Sequence, residues 1–148
     1  MSVVARRYHE RAREALRRGD VEAAREDLRA ALEMAPAFVA ARVGYALLLA
    51  REGSAARAAD VLREGIAAEQ REGRGQRRPA VALHRSLGEV LIAAGDYRGA
   101  ERAFAAAAEL AGTVGAPAAG VADRLARLRA KTGRFAEALE QLVAAARA

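Results

Sequence analysis

The chain has 148 residues, 53% of them apolar, 30% charged and only 4% aromatic, with no Trp and no Cys. It is long enough to bury one core, and the missing cysteines exclude disulfides, thiolate metal sites and a cysteine nucleophile. Two His cannot build a histidine-rich metal site, and a net charge of +6 favours an acidic partner over a basic one.

Ala occurs 42 times and Arg 24 times, against a single Lys, Lys131. Both are strong helix formers, and no β-branched run exceeds Val3-Val4. The composition therefore predicts an all-α chain. Codon bias of a GC-rich genome accounts for Arg replacing Lys, but not for the excess of Arg over acidic residues.

Residues 1–7 contain no apolar stretch of signal-peptide length. Apolar runs such as Tyr45 to Ala50 and Ala103 to Ala108 are too short to span a bilayer. A cytoplasmic location and no membrane span are expected.

In chain order the pattern predicts eight helices, at about 3–18, 21–34, 37–52, 55–72, 79–94, 97–111, 117–132 and 135–147. A punctuation recurs between the two helices of each pair: Gly19-Asp20, Gly53-Ser54, Gly95-Asp96 and Gly133-Arg134. Gly accepts the left-handed conformation that ends a helix. Asp20, Ser54 and Asp96 can then cap the next helix, whereas Arg134 cannot, which predicts a weaker fourth turn. Five residues after each Gly comes Ala24, Ala58, Ala100 or Ala138, and nine after comes Leu28, Leu62, Phe104 or Leu142. Twelve after comes Ala31, Gly65, Ala107 or Ala145. Small residues let helices approach closely and the large one fills the gap. Apolar residues precede each Gly at helical spacing: Tyr8, Ala12, Ala15 and Leu16; then Tyr45, Ala46 and Leu49; then Leu87, Gly88 and Leu91; then Leu125, Ala126 and Leu128.

The glycines are 34, 42 and 38 residues apart, a period that signals a helical solenoid. Leu87-Gly88-x2-Leu91, Gly95-Asp96-Tyr97 and Ala100-x3-Phe104 carry the resemblance best, with Gly19-Asp20, Ala24-x3-Leu28 and Pro36 in the first copy. The second copy keeps Tyr45-Ala46-x2-Leu49 and Ala58-x3-Leu62, and the fourth Leu125-Ala126 and Ala138-x3-Leu142. The chain resembles the tetratricopeptide repeat (TPR) family of bacterial type, as four degenerate repeats at about 5–36, 39–72, 79–112 and 117–148 within one domain, 1–148. The resemblance implies a right-handed superhelix of antiparallel helix pairs. Arg11 and Arg129 depart from the family's buried Leu and Tyr, as end repeats tolerate. The longer second and third periods predict helices lengthened by a turn.

No catalytic arrangement is legible. Five Ser and Thr are present, and Ser86, two residues from His84, points to another side of a helix. Gly73-Arg74-Gly75 lacks the Lys and the preceding strand of a phosphate loop. The pair Glu26-Asp27 reads as solvated, and His84 as a packing residue with one hydrogen bond. The chain is expected to be non-enzymatic and to need no cofactor and no metal.

The family's register implies a concave groove carrying Arg6, His9, Glu10, Arg13 and Arg17, then Val43, Gly44, Leu47 and Arg51. The third copy adds Arg85, Ser86, Glu89 and Ile92, and the fourth Asp123, Arg124, Arg127 and Lys131. An apolar centre with basic ends suits a protein segment with apolar anchors and acidic flanks. The family's carboxylate clamp is mostly absent, because its positions carry His9, Arg13, Gly44, Ala82 and Ser86. The alternatives are a nucleic-acid binder using the basic surface, including the Arg-rich loop 71–78, and a peptide-sensing regulatory module. Nucleic acid is disfavoured by the shortage of aromatics for stacking. Leu142 is assigned inward, against the helix carrying Leu125. Leu139 and Val143 share the other face of the last helix, leaving an uncapped end where a homodimer could form.

Overall fold

The computed structural model describes residues 2–72, 77–114, 127, 130, 131, 133 and 141–146. Among them six helices are complete: α1 (Val3–Arg17), α2 (Val21–Met34), α3 (Val39–Arg51), α4 (Ala55–Glu72), α5 (Arg77–Ala93) and α6 (Tyr97–Val114). All regular structure among the described residues is helical. Consecutive helices pack as pairs α1 with α2, α3 with α4, and α5 with α6. The pairs are joined by α2 on α3, α4 on α5, and α3 directly on α5.

The turns inside the three pairs share one construction. Gly19, Gly53 and Gly95 have φ of 79°, 88° and 82°. At the first, the Gly19 N–H donates to Leu16 O (3.1 Å) and the Asp20 N–H to Ala15 O (2.8 Å). The same two bonds recur at Gly53-Ser54 and Gly95-Asp96. They satisfy carbonyls that the helix end would leave free, and a side chain at this φ would be strained. The residue that closes one helix also opens the next. Asp20 Oδ1 accepts from the Ala23 N–H (3.1 Å) and Asp96 Oδ1 from the Gly99 N–H (2.9 Å). At Ser54 the bond formed is to the backbone carbonyl, from the Ala58 N–H.

The lengthened periods extend helices, as expected: α4 and α6 have 18 residues each, against 14 in α2. Helix α5 starts two residues before the expected position, with Pro79 inside its first turn. Proline costs little there, because a first-turn N–H has no partner within the helix.

The core follows the small–large–small pattern. Ala24, Ala31, Ala58, Ala100 and Ala107 are fully buried, as are Leu62 and Phe104, with Leu28 nearly so. Tyr45, Ala46, Leu49, Leu87 and Leu91 from the preceding helices join them. With so few aromatics, interior volume is filled by bringing backbones close rather than by large side chains.

Several expectations are corrected. Leu16 is exposed rather than in the core stripe. Asp27 is buried, not solvated, and pairs with Arg11 Nε at 3.7 Å, because its position on α2 faces α1. Leu142, assigned to an inward position, is 68% exposed. Gly133, read as a helix terminator, is itself helical, without the positive φ of the other three. The expected partners Leu125, Ala126, Leu128 and Ala138 lie outside the described residues.

Candidate partner-binding surface

Helices α1, α3 and α5 are the first members of their pairs, and each carries a stripe at spacings of three and four. On α1 the stripe is Arg6, His9, Arg13 and Arg17; on α3 it is Val43, Leu47 and Arg51; on α5 it is Arg85, Glu89 and Ile92. Such spacing places each set on one helix face. Arg6, Arg13, Arg17, Arg51 and Arg85 are exposed, and Val43, Glu89 and Ile92 are half-buried. Leu47, in the last third of α3, is 42% exposed. A large apolar side chain left open among arginines is a candidate anchor for a partner.

The individual environments differ. Arg17 is held by Glu14 at 3.2 Å, one turn away on α1. The His9 ring packs against Phe38, the residue before α3, with ring centroids 5.1 Å apart and planes inclined by 53°. Burial and the neighbouring Arg13 lower the His9 pKa, while Glu10 opposes them. His9 thus ties α1 to the start of α3, in addition to lying on the stripe. Ser86, placed in the groove by the register, is buried.

From the fourth copy, Arg127 and Lys131 are helical and exposed. The Lys131 ammonium lies 4.5 Å from the centroid of the Tyr97 ring at the start of α6, a cation–π contact. Arg124, Asp123 and Leu139 lie outside the described residues. Val143 is 43% exposed, beside the more exposed Leu142. His84 is half-buried, and burial lowers its pKa. The hydrogen bond expected for it is not formed among the described residues.

Arg42 is the residue the sequence did not disclose. It is buried on α3, with Nε and Nη2 donating to Pro36 O (3.1 and 2.7 Å) and Nη1 to Val61 O (3.0 Å). Glu64 Oε2 lies 3.5 Å from Nη1. Burial lowers the Arg42 pKa and Glu64 partly offsets it. The fork of donors thereby clamps the α2–α3 turn and α4 onto α3, a geometry lysine cannot reproduce. The small residue at Gly65 was the only signal in the sequence: a Cβ there would overlap Arg42 Cδ. A second link, from Arg25 on α2, joins Glu22 and, across the repeat boundary, Glu52.

Among the described residues no three His, Asp or Glu side chains converge as metal ligands. No described helix is long and apolar enough to cross a membrane.

Residues 9–74 match the family described as Tetratricopeptide repeat. Among solved structures the chain is similar to a K341M mutant of the O-GlcNAc transferase of Thermobaculum terrenum. The TM-score is 0.58 at 28% identity, over 74% of this chain. The match spans only 20% of that enzyme, so the likeness is to one part of a much longer protein. No curated protein matches.

Proposed function

The chain carries tetratricopeptide repeats, and we propose that it is a non-enzymatic adaptor that binds a partner protein along the face built by α1, α3 and α5. The repeat is a protein-interaction fold, which supports the general reading. The observation that carries the specific one is Leu47: a large apolar residue, 42% exposed, on the helix that joins the other two pairs. Arg13, Arg51 and Arg85, all exposed, supply donors for carboxylates. The partner is accordingly a segment with apolar anchors and acidic flanks, and the cytoplasm is the proposed place of contact. Because the Arg42 clamp and the capped turns fix the helices beforehand, binding orders little of this chain.

The same reading includes Arg124, Arg127 and Lys131 as the far end of the face. It also includes a homodimer contact through Leu139 and Val143, to be tested by light scattering over a concentration series. For the main site, immobilised chain is used to capture partners from native lysate, with and without Leu47→Glu/Arg85→Glu. The double variant loses the specific partner while its helical circular dichroism is unchanged. Undiminished capture moves the site elsewhere.

A further inference from the structure

One stripe of α1 departs from its counterparts on α3 and α5. The Arg18, Glu52 and Ala94 N–H groups donate to Glu14 O, Leu48 O and Val90 O, so Glu14, Leu48 and Val90 occupy one position in the three helices. Three and seven residues earlier stand Arg11 and Arg7 on α1, Tyr45 and Ala41 on α3, and Leu87 and Leu83 on α5. The six residues of α3 and α5 are buried, whereas Arg7, Arg11 and Glu14 are exposed. The second helices change in step: eight residues after each turn glycine come Asp27 on α2, Val61 on α4 and Ala103 on α6. Helices α3 and α5 each pack on the second helix of the preceding pair, a contact that α1 lacks among the described residues. We infer that the α1 stripe closes the stack: it refuses a further helix pair, so copies of the chain do not join head to tail.

The stripe has the chemistry of a sealed face. Arg11 Nε pairs with Asp27 at 3.7 Å, and the Arg11 guanidinium carbon lies 5.6 Å from the centroid of the Tyr8 ring. Arg11 thereby covers a buried carboxylate and a half-buried ring of its own pair. On α3 and α5 that cover comes from a neighbouring helix. A genomic excess of arginine explains Arg11 but not an acid buried opposite it, so the two changes form one device. A helix laid on the stripe must take Arg7, Arg11 and Glu14 out of water, Glu14 together with the exposed Arg17 that holds it. That cost is set against contact with Val4, the apolar member of the stripe. The stripe lies about 100° around α1 from the one carrying Arg6 and Arg13, so the inference does not rest on the partner-binding reading. A two-fold contact at Leu139 and Val143 remains compatible with it and stops at two copies.

Arg7→Ala/Arg11→Tyr/Glu14→Leu/Asp27→Val installs the residues of the second pair and opens the face. Its average mass in light scattering should rise with concentration to at least twice the wild-type value, at unchanged helical circular dichroism. Arg57→Tyr/Asp60→Leu/Arg63→Ala places three of the same residues at exposed positions of α4 and should behave as wild type. An opened variant that keeps the wild-type mass overturns the inference, and so does a control that associates equally. A second arm leaves every charge of the stripe in place. The chain has no Cys, so Val4→Cys carries a single nitroxide label on the stripe. Its spectrum should remain that of a mobile surface label at every protein concentration. Immobilisation as the concentration rises overturns the inference and assigns the face to a second copy. This arm decides alone if the opened variant does not fold.

Discussion

A Cβ atom on Gly88 would lie 2.7 Å from Cε2 of Phe104, and nearly as close to two further atoms of that ring. Phe104 is fully buried, so its ring cannot swing away without disturbing α6. The Leu-Gly pair of α5 and the large residue of α6 are therefore one packing unit. Gly88→Ala gains about 1 kcal/mol of helix propensity, but overpacking costs about 1–3 kcal/mol. The variant is expected to be less stable in urea unfolding. In a Phe104→Leu background the penalty should shrink or reverse, and additive losses would show that the two positions do not touch.

Phe104→Ala alone should cost about 3–5 kcal/mol through the cavity it leaves. Its midpoint in urea should fall accordingly. A loss under about 1 kcal/mol, well below that range, would place the ring at the surface.

Arg42 gives a prediction of a different kind. Three of its donor contacts end on two backbone carbonyls, and truncation leaves those carbonyls short of partners. Arg42→Lys keeps the charge but cannot span Pro36 and Val61 together. A loss of about 1–3 kcal/mol is expected where the Pro36 carbonyl loses both of its Arg42 donors, whereas Val61 O lies within α4 and keeps its place in the helix. Gly65→Ala should destabilise as well, because the anchored guanidinium prevents the stem from moving aside. Gly65→Ala at wild-type stability would show that Arg42 repacks freely.

Both histidines have lowered pKa values, His9 through burial and Arg13, His84 through burial. The unfolded chain then binds protons more readily than the folded one below the ordinary histidine value of 6.5. Their contribution is fully present above that value and is lost as pH falls through the lower, folded pKa. The melting temperature should therefore drop between about pH 7 and pH 5. His9→Gln/His84→Gln should flatten that drop. An unchanged slope would assign the pH dependence to the carboxylates.

Leu142→Ser tests the fourth copy. An exposed side chain costs within about 0.5 kcal/mol on replacement, whereas the equivalent Leu62→Ala in the second copy should cost about 2–5 kcal/mol. A large loss for Leu142→Ser would restore its inward assignment.

The sequence by itself determined the helices and their turns. Gly19, Gly53 and Gly95, with Asp20 and Asp96, act on backbone groups within five residues of themselves, so their effect is written locally. The small–large–small spacing around Leu28, Leu62 and Phe104 was legible for the same reason, since helical periodicity alone puts those residues on one face. What tertiary structure decided is which polar residues go inside. Arg42 is buried because Gly65, on the next helix, leaves room for its stem and because the Pro36 carbonyl turns toward it. Asp27 is buried because Arg11 reaches it from α1. A recess between Met34 and Glu72 depends likewise on the α2–α3 turn meeting the end of α4. Burial of a charge is decided by a partner distant in the chain, and no local pattern of residue types encodes that partner's position.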